Sequence, residues 1–277
     1  MADREDIKTE LLSDGQVAVV SFNRAKKFNS ITWELFAELK TVMDGLSKDD
    51  SKVRCIVLKG EGSHFTSGLD LKSAMKLSQL KDAASDPARA SFKFFNVVKP
   101  LQDSVSSCEK ARVPVIAAMH GYCIGAGVDI SSACDVRMCS ADTKFSIKEV
   151  DLALAADIGT LQRFQKVVGN QSWANELAYT ARFFGAEEAL KHGFVSSVHP
   201  TAADCHKAAI ALAQQIASKS PVAVATTKQS IVYSRDHTVE EGLNHIAMLN
   251  AVMLQTEDMA TAGMATVQKQ KPHFNKL

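Results

Sequence analysis

Apolar and polar positions along the chain change period several times, and each change predicts a different element. Residues 8–22 form two apolar stretches on either side of Asp14-Gly15, which predicts a β-hairpin. Over 32–46, apolar residues recur at helical spacing, which predicts a helix with Thr32 as its N-cap. Further short strands are predicted at 55–62, 115–119, 135–140 and 193–198.

Helical periodicity fills most of the remaining chain. Within the first two thirds, helices are predicted in 73–111 (with a break near 85–87), 128–133, 157–168, 172–181 and 186–192. Beyond residue 201, the pattern is helical almost throughout, at 202–219, 221–234 and 239–269. We therefore expect an α/β core over 1–200 and a helical C-terminal region over 201–277.

Charge and composition exclude several classes of protein. The chain has 32 Lys and Arg against 31 Asp and Glu, and this balance argues against a nucleic-acid-binding surface. The longest apolar stretch, 113–130, contains His120, three glycines and Asp129, so no membrane span is expected. The six cysteines include no CxxC pair, and the charged start MADREDIK lacks an apolar signal segment. We expect reduced thiols in an intracellular protein, and no metal site.

Two turns that follow predicted strands have the composition of ligand-binding turns. They are HFTSGLDL at 64–71 and HGYCIGAGVDI at 120–130. Small residues let a backbone approach a ligand closely, and two N–H groups that point at one oxygen form an oxyanion hole. The alternative is that the glycines only serve tight strand-to-helix turns. Neither turn has the spacing of a dinucleotide fingerprint, a phosphate loop or a nucleophile elbow.

Carboxylates in apolar surroundings are the second chemical signal. Asp129, Glu149 and Asp157 all lie within or beside apolar segments. Such an acid is a helix cap, a buried ion pair or a functional group with a raised pKa. For Asp157, capping a helix that begins at residue 158 is the structural alternative, and Asp70 is interpreted as a capping or loop-bracing acid.

The order and spacing of these segments resemble a known family. SFNRAKKFNSI, HFTSGLDL, VPVIAAMHGYCIGAGVDISSACDVRMCS and FSIKEVDLALAADIGTLQRFQKVVG together resemble the crotonase (enoyl-CoA hydratase/isomerase) superfamily over about residues 8–235. The resemblance implies a crotonase-type spiral of repeated ββα units, with a C-terminal helical trimerisation region and a homotrimer or homohexamer as the assembly. It also implies acyl-CoA thioester substrates and no metal or redox cofactor, because coenzyme A is part of the substrate.

The resemblance also implies site residues. The thioester oxygen would be held by the backbone N–H groups of Leu69 and Ala126, and many members of the superfamily have Gly at the latter position. The NRAKKFN segment would contact the adenosine portion of coenzyme A, although exposed lysines are more often a solvated surface. The substrate- or CoA-binding residues expected by position are Lys26, Lys27, Phe28, Ser67, Gly68, Asp70, Gly125 and Gly127.

A third acid separates this chain from most of the superfamily. Hydratases place glutamates at the positions of Asp129 and Glu149 and usually a small residue at that of Asp157. KEVDLALAADIGTLQR resembles the dienoyl-CoA isomerase group, which converts 3,5-dienoyl-CoA to 2,4-dienoyl-CoA. The resemblance and the chemistry together favour Glu149 as the base at C2, Asp157 as the acid at C6 and Asp129 as an orienting group. The reverse assignment of the first two is the alternative.

Other functions and a location stay open at this point. The rival activities are those of an enoyl-CoA hydratase and a 3,2-enoyl-CoA isomerase. A non-catalytic CoA-binding scaffold and an RNA-binding protein are the non-enzyme alternatives, against which the three acids and the charge balance argue. The tripeptide Asn275-Lys276-Leu277 resembles the peroxisomal Ser-Lys-Leu address, and the mitochondrion is the alternative location.

Overall fold

The computed structural model of the chain describes residues 6–48, 50–70, 72, 73, 75 and 86–277. Within these ranges, the larger sheet has six strands in the order β1-β2-β3-β4-β6-β9, and a smaller sheet has the order β5-β7-β8. The strands are β1 (Ile7–Leu12), β2 (Val17–Phe22), β3 (Cys55–Gly60), β4 (Val115–Met119), β5 (Tyr122–Ile124), β6 (Val136–Ser140), β7 (Lys144–Ser146), β8 (Phe184–Gly185) and β9 (Ser197–His199).

The larger sheet begins with the predicted hairpin and continues as a parallel sheet. β1 pairs antiparallel with β2, and the turn residues Ser13, Asp14 and Gly15 all have positive φ. The β2-β3, β3-β4, β4-β6 and β6-β9 pairs are parallel. The carboxyl ends of β3 and β4 therefore lie side by side at one edge of the sheet, where both predicted binding turns begin.

Helices cover the sheets and fill the C-terminal part of the chain. Thr32 caps the first of them through its hydroxyl, as predicted. The α-helices of the described residues are α1 (Trp33–Leu46), α2 (Pro87–Lys110), α3 (Ala126–Ala133), α4 (Thr160–Val167), α5 (Gln171–Thr180), α6 (Ala186–Lys191), α7 (Ala202–Ala217), α8 (Pro221–Ser234), α9 (Val239–Met253) and α10 (Glu257–Gln268).

The inner strands β2, β3 and β4 of the larger sheet are buried on both faces. One face, with Ala18, Val20 and Phe22 of β2, belongs to a core that includes side chains of α1, α2 and α3. On the other face, Val17 and Val19 pack with α7, whose contacting side chains are Cys205, Ala209, Ala213 and Ala217. Burial on both sides explains why the VAVVSF sequence of β2 is almost continuously apolar.

Several element boundaries differ from the prediction. The helix predicted to begin at 157 begins at Thr160, and the helix predicted over 239–269 is two helices, α9 and α10, because Thr256 caps the second of them. The strand predicted at 193–198 starts only at Ser197. The smaller sheet was not predicted, since its strands of two or three residues are too short to show a period.

All six cysteines are buried free thiols. In the part of the chain that the structure describes, none of the helices combines the length and the apolar composition that crossing a bilayer would need.

Candidate active site

The two predicted turns meet in the structure. Thr66 and Cys123 form a parallel β-bridge between them. The Thr66 N–H donates to the carbonyl of Tyr122 at 2.9 Å, and the Ile124 N–H donates to the carbonyl of Thr66 at 3.2 Å. This short ladder fixes the backbone of one turn against that of the other, next to the start of α3.

The two predicted oxyanion donors lie on these adjoining segments. A Cβ built on Gly68 would lie 2.7 Å from the carbonyl oxygen of Ile124 and 3.9 Å from the nitrogen of Ala126, so the backbones are in contact. Neither the Leu69 nor the Ala126 N–H has a hydrogen-bond acceptor among the described residues. Ala126 is the first residue of α3, where an N–H has no partner within the helix. Two unpaired donors are therefore available side by side.

Glycine is required at two positions of the second turn. Gly125 precedes α3 with φ +51° and ψ −113°, a conformation that residues with a side chain rarely adopt. A Cβ at Gly127 would lie 2.6 Å from Cγ2 of Thr66, so the close packing of α3 on the first turn needs a hydrogen there. Ala126, between them, has an ordinary helical φ, which a residue with a methyl side chain adopts without strain.

Asp129 is buried in α3 and holds the start of another helix. Its side chain has no exposed surface, and its Oδ1 accepts a hydrogen bond from the N–H of Thr160 at 2.5 Å. Its Oδ2 is buried without a hydrogen-bond partner among the described residues. Burial and the neighbouring Glu149 raise the pKa of Asp129 to about 8. Asp129, fixed by its backbone donor, is thus suited to orienting its neighbours.

Glu149 opens the 3-10 turn Glu149–Leu152, immediately beyond β7. A Cβ built on Gly125 would lie 3.4 Å from its Oε1, so its carboxyl lies against the turn that leads into α3. Its Oε2 is buried and has no partner in the described part of the chain. Desolvation by burial raises the pKa of Glu149. An unsatisfied carboxyl oxygen next to the predicted oxyanion donors is suited to taking a proton.

Asp157 lies in the loop that leads to α4 and is half-buried. Its backbone carbonyl accepts a hydrogen bond from Nε2 of Gln102 on α2, at 2.7 Å. Desolvation raises the pKa of its carboxyl, which favours the protonated form. The capping alternative is wrong, because Gly159 is the N-cap of α4 and Asp129 accepts the hydrogen bond from Thr160.

The three carboxyl groups form one electrostatic cluster. The negative charge of Asp157 raises the pKa values of Glu149 and Asp129, and that of Glu149 also raises the pKa of Asp129. Because like charges in a desolvated site disfavour simultaneous ionisation, ionisation of one of these carboxyls favours the protonated form of the others. This is the requirement for giving a proton at one atom and taking one at another.

The predicted coenzyme A-binding residues other than Gly125 and Gly127 lie in or near the first turn. Phe28 is exposed, and its carbonyl accepts from the N–H of Ser67 at 2.9 Å. Lys26 and Lys27 are exposed, and neither forms an ion pair with the residues that the structure describes. Asp70 accepts from the hydroxyl of Ser30 at 3.2 Å, so it braces the loop as predicted.

Sequence reasoning missed two residues that are distant along the chain and hold Asp129 and Asp157 by direct hydrogen bonds. The N–H of Thr160 and the amide of Gln102 hold Asp129 and the backbone of Asp157, respectively. A backbone donor leaves no trace in composition. Gln102 carries only a weak signal in the sequence. It is a polar residue in the second half of α2, where the opposite side of the helix is buried.

Comparison with known proteins identifies the family of the chain. The sequence profile described as Enoyl-CoA hydratase/isomerase matches residues 13–276. The chain belongs to this family. Among relatives of the enoyl-CoA hydratase/isomerase chain, the mitochondrial Delta(3,5)-Delta(2,4)-dienoyl-CoA isomerase of Homo sapiens is 45% identical over 252 residues, which cover 91% of this chain and 76% of the human protein. The peroxisomal enzyme of that name from Arabidopsis thaliana is 41% identical over 265 residues, which cover 96% and 95%.

Solved structures confirm the fold of this enoyl-CoA hydratase/isomerase family member. The crystal structure of an enoyl-CoA hydratase from Bacillus anthracis superimposes with a TM-score of 0.86 and 26% identity, over 99% of this chain and all of that one. The α/β spiral with a helical C-terminal region, expected from the resemblance, is therefore confirmed. Within the ranges given above, no cluster of three or more His, Cys, Asp or Glu side chains is arranged to hold a metal ion.

Proposed function

We propose that this chain isomerises 3,5-dienoyl-CoA to 2,4-dienoyl-CoA in the β-oxidation of unsaturated fatty acids. The observation that carries the proposal is the third carboxyl group. Asp157 lies in the same desolvated cluster as Asp129 and Glu149 and is not used as a helix cap. The relatives that carry the isomerase name match this chain over nearly its whole length.

The reaction moves one proton off the substrate and another onto it. Ionised Glu149 removes a proton from C2, and the electron pair delocalises over a trienolate that extends from the thioester oxygen to C6. The N–H groups of Leu69 and Ala126 stabilise the negative charge on that oxygen. Loss of one donor of this kind costs about 3–4 kcal/mol in other enzymes. Protonated Asp157 then delivers its proton to C6, which leaves double bonds at C2 and C4 in conjugation with the thioester.

The two proton transfers reverse the protonation states of the acids. After one turnover Glu149 carries a proton and Asp157 is ionised, so exchange with solvent restores the starting state. Burial raises the pKa values of Asp157 and Glu149 alike, so the assignment of acid and base rests on the resemblance and not on these pKa values. Asp129, held by Thr160, orients the pair. The reverse assignment, with Asp157 at C2 and Glu149 at C6, is the alternative.

The groups in and beside the two turns bind the substrate. Lys26 and Lys27 meet phosphates of coenzyme A, and Phe28 with the NRAKKFN segment contacts its adenosine portion. The backbone of Ser67, Gly68, Gly125 and Gly127, with Asp70 as a brace, shapes the approach to the thioester. Support comes from the exposed, unpaired lysines and the contact between the two turns. The balanced proton transfers call for no redox group or metal, and coenzyme A enters as part of the substrate.

The assembly is a homotrimer or a dimer of trimers. Large apolar side chains on the last two helices are exposed in the single chain, among them Val239, Leu243, Met248, Val252, Met264 and Val267. Large apolar side chains that are exposed in such number on a soluble chain indicate interaction surfaces, and a second and third copy of this chain would cover them.

The location is an organelle of fatty-acid oxidation, with the peroxisome as the proposed one. The relatives are named mitochondrial in Homo sapiens and peroxisomal in Arabidopsis thaliana. Asn275-Lys276-Leu277 resembles a peroxisomal address. A reporter that carries residues 266–277 should enter peroxisomes, and a reporter that stays diffuse would contradict the address.

A comparison of two substrates tests the activity. The purified protein is given 3,5-dienoyl-CoA and 2-enoyl-CoA of equal chain length in separate reactions. We expect conversion of the diene to the conjugated 2,4-isomer, which absorbs at longer wavelength, and at most slow hydration of the enoyl-CoA. Rapid hydration of 2-enoyl-CoA without conversion of the diene would assign the chain to the hydratases instead.

A further inference from the structure

A polar stripe on α2 faces the loop that carries Asp157. Gln102, Ser106 and Glu109 follow one another at i, i+4 and i+7, so they share one face of the helix. Gln102 donates to the carbonyl of Asp157, as described above. Ser106 accepts a hydrogen bond from Nη2 of Arg163 at 2.9 Å, and Oε2 of Glu109 accepts from Nη2 and Nε of the same arginine at 2.9 and 3.2 Å.

Arg163 also packs on the loop itself. A Cβ built on Gly159 would lie 2.3 Å from Nη1 of Arg163, so the guanidinium group rests against the backbone two residues beyond Asp157. Gly159 has φ +147°, and its conformation and its missing side chain both make room for the arginine. The loop is thus held by Gln102 at its beginning and by Arg163 at its end.

Glu109 is shared by two arginines. Its Oε1 accepts from Nη1 of Arg235 at 2.8 Å, while its Oε2 binds Arg163. Arg235 is the C-cap of α8, so the carboxylate joins α2, α4 and the C-terminal helices at one point. All three side chains are at most about a quarter exposed. Removal of the carboxylate would leave two guanidinium groups close together without an anion between them.

A cavity of about 330 Å³ lies beside this cluster, and its lining includes Asp157, Gly159 and Arg163. A cavity of this size and polarity holds water. Asp157 lies at the edge of this cavity, so the contacts of Arg163 fix the loop at the boundary between this water and the carboxyls of Asp129 and Glu149.

We propose that Glu109 is a positioning residue that, through Arg163, holds the loop 157–159 in place and limits the hydration of the Asp157 carboxyl. The inference rests on the proposed function, in which Asp157 protonates C6. Glu109 itself lies too far along α2 to be assigned a contact with the reacting carbons. We call the contact between Glu109 and Arg163 the clamp. If the clamp is lost, Asp157 gains hydration and loses its alignment with C6, while Glu149 and the oxyanion donors keep their positions.

The direct effect of the Glu109 and Arg163 charges on the pKa of Asp157 can be separated from their effect on its position. The ionisable groups around Asp157 are Asp129 on α3, Glu149 in its 3-10 turn, Glu109 on α2, Arg163 and Lys166 on α4, and Arg235 and Asp236 after α8. If charge alone mattered, removing the anion Glu109 would lower the pKa of Asp157, whereas removing the cation Arg163 would raise it. If positioning matters, both changes hydrate Asp157 and both lower its pKa.

The experiment compares Glu109→Gln, Arg163→Gln and Arg163→Lys with the wild type. Activity that needs protonated Asp157 declines as the pH rises through its pKa, so the alkaline limb of the kcat profile reports that group in the enzyme–substrate complex. We expect this limb to move to lower pH in all three variants, by about one unit, a fraction of what full desolvation causes. Conversion should fall by up to about 100-fold with little change in KM.

Exchange of the C2 hydrogens in heavy water supplies the readout that a general loss of structure would not give. In the three variants, exchange should fall much less than conversion, because the C2 base is untouched. Lys166→Gln is the matched control, since Lys166 lies one turn further along α4, lines the same cavity and pairs with Asp236 at the surface. This variant should keep the alkaline limb of the kcat profile at its wild-type position and should keep the wild-type ratio of C2 exchange to conversion.

The possible results separate the inference from the function. An alkaline limb that moves to higher pH in Arg163→Gln, or stays unchanged in all three variants, would overturn the role of Glu109 while wild-type conversion leaves the function standing. A wild type that fails to convert the diene would contradict the function and this inference with it. If Glu109→Gln does not fold, Arg163→Lys decides, because it keeps the charge and loses the two-pronged contact.

Discussion

The three carboxyl groups differ in what holds them, and this difference suggests their division of labour. Asp129 is fixed by a backbone N–H, Glu149 has a buried oxygen without a hydrogen-bond partner among the described residues, and Asp157 is held by Gln102 through its main-chain carbonyl. A carboxyl that already accepts a short hydrogen bond is a poor proton carrier and a good orienting group. The other two are left to move protons.

The buried carboxyl of Asp129 should make stability depend on pH. Its pKa is about 8 when folded and about 4 in an unfolded chain, so between these values the folded protein keeps a proton that the unfolded chain has lost. Wild-type stability therefore falls as the pH rises through this window. Asp129→Asn, which can still accept from Thr160, should become progressively more stable than the wild type, by at most about 1.4 kcal/mol per pH unit.

Urea unfolding at pH 5, 6, 7 and 8 would measure the difference in free energy between Asp129→Asn and the wild type. Asp103→Asn, at an exposed aspartate of α2, gives the baseline for losing one carboxylate. A difference for Asp129→Asn that is the same at every pH would show that burial does not hold a proton on this group.

Ala126 should act through its backbone alone. Ala126→Gly keeps the N–H and should retain most of the activity, apart from a loss of helix stability of up to about 1 kcal/mol. Ala126→Val adds two methyl groups beside the thioester, and this crowding should remove most of the activity. The comparison is made on kcat/KM for the diene. Equal activity in the three proteins would show that this turn is not at the reacting centre.

At the scale of elements, long periodic segments were predictable and long-range contacts were not. The hairpin and the Thr32 cap follow from local signals and are confirmed. Asp157 has the sequence appearance of an N-cap, but the N–H at the start of α4 is taken by Asp129, which is 31 positions away from Thr160. The break before α10 shows a Thr256 cap followed by two acids, a signal that the continuing apolar pattern obscured.

Helix α7 packs on the sheet through small side chains, and this predicts which alanines tolerate growth. Ala213 is fully buried against the second face of the sheet, whereas Ala211 on the same helix is exposed. Ala213→Leu should destabilise the protein by about 1–3 kcal/mol through overpacking. Ala211→Leu should change stability by less than about 0.5 kcal/mol. Denaturant unfolding measures both, and equal effects would contradict the packing of this face.

At the scale of the whole molecule, the exposed apolar residues of α9 and α10 predict self-association. Val239 and Val267 are 81% and 84% exposed in the single chain. Sedimentation velocity at micromolar concentration should show a trimer or a hexamer. A stable monomer under these conditions would contradict the proposed assembly.

The molecule as a whole also shows the limits of sequence reasoning about the site. The two turns were predictable from their small residues and the strands that precede them, whereas the parallel pairing of β3 with β4, which brings the turns together, was not predicted. That Glu149 and Asp157 would join Asp129 came from the resemblance, since they lie 20 and 28 positions from it along the chain. The contact between Glu109 and Arg163 could not be predicted, because the two residues lie on separate helices, α2 and α4.

The most direct test of the account is the Asp157→Asn variant, measured for conversion of 3,5-dienoyl-CoA and for exchange of the C2 hydrogens in heavy water. The amide keeps the shape of the side chain but cannot deliver a carboxyl proton to C6. We expect conversion to fall by roughly 10²–10⁴-fold, as for loss of a general acid, while C2 exchange persists. Glu149→Gln, the companion variant, should lose both. Near-normal conversion by a folded Asp157→Asn protein would remove Asp157 from the mechanism and contradict the three-carboxyl isomerase.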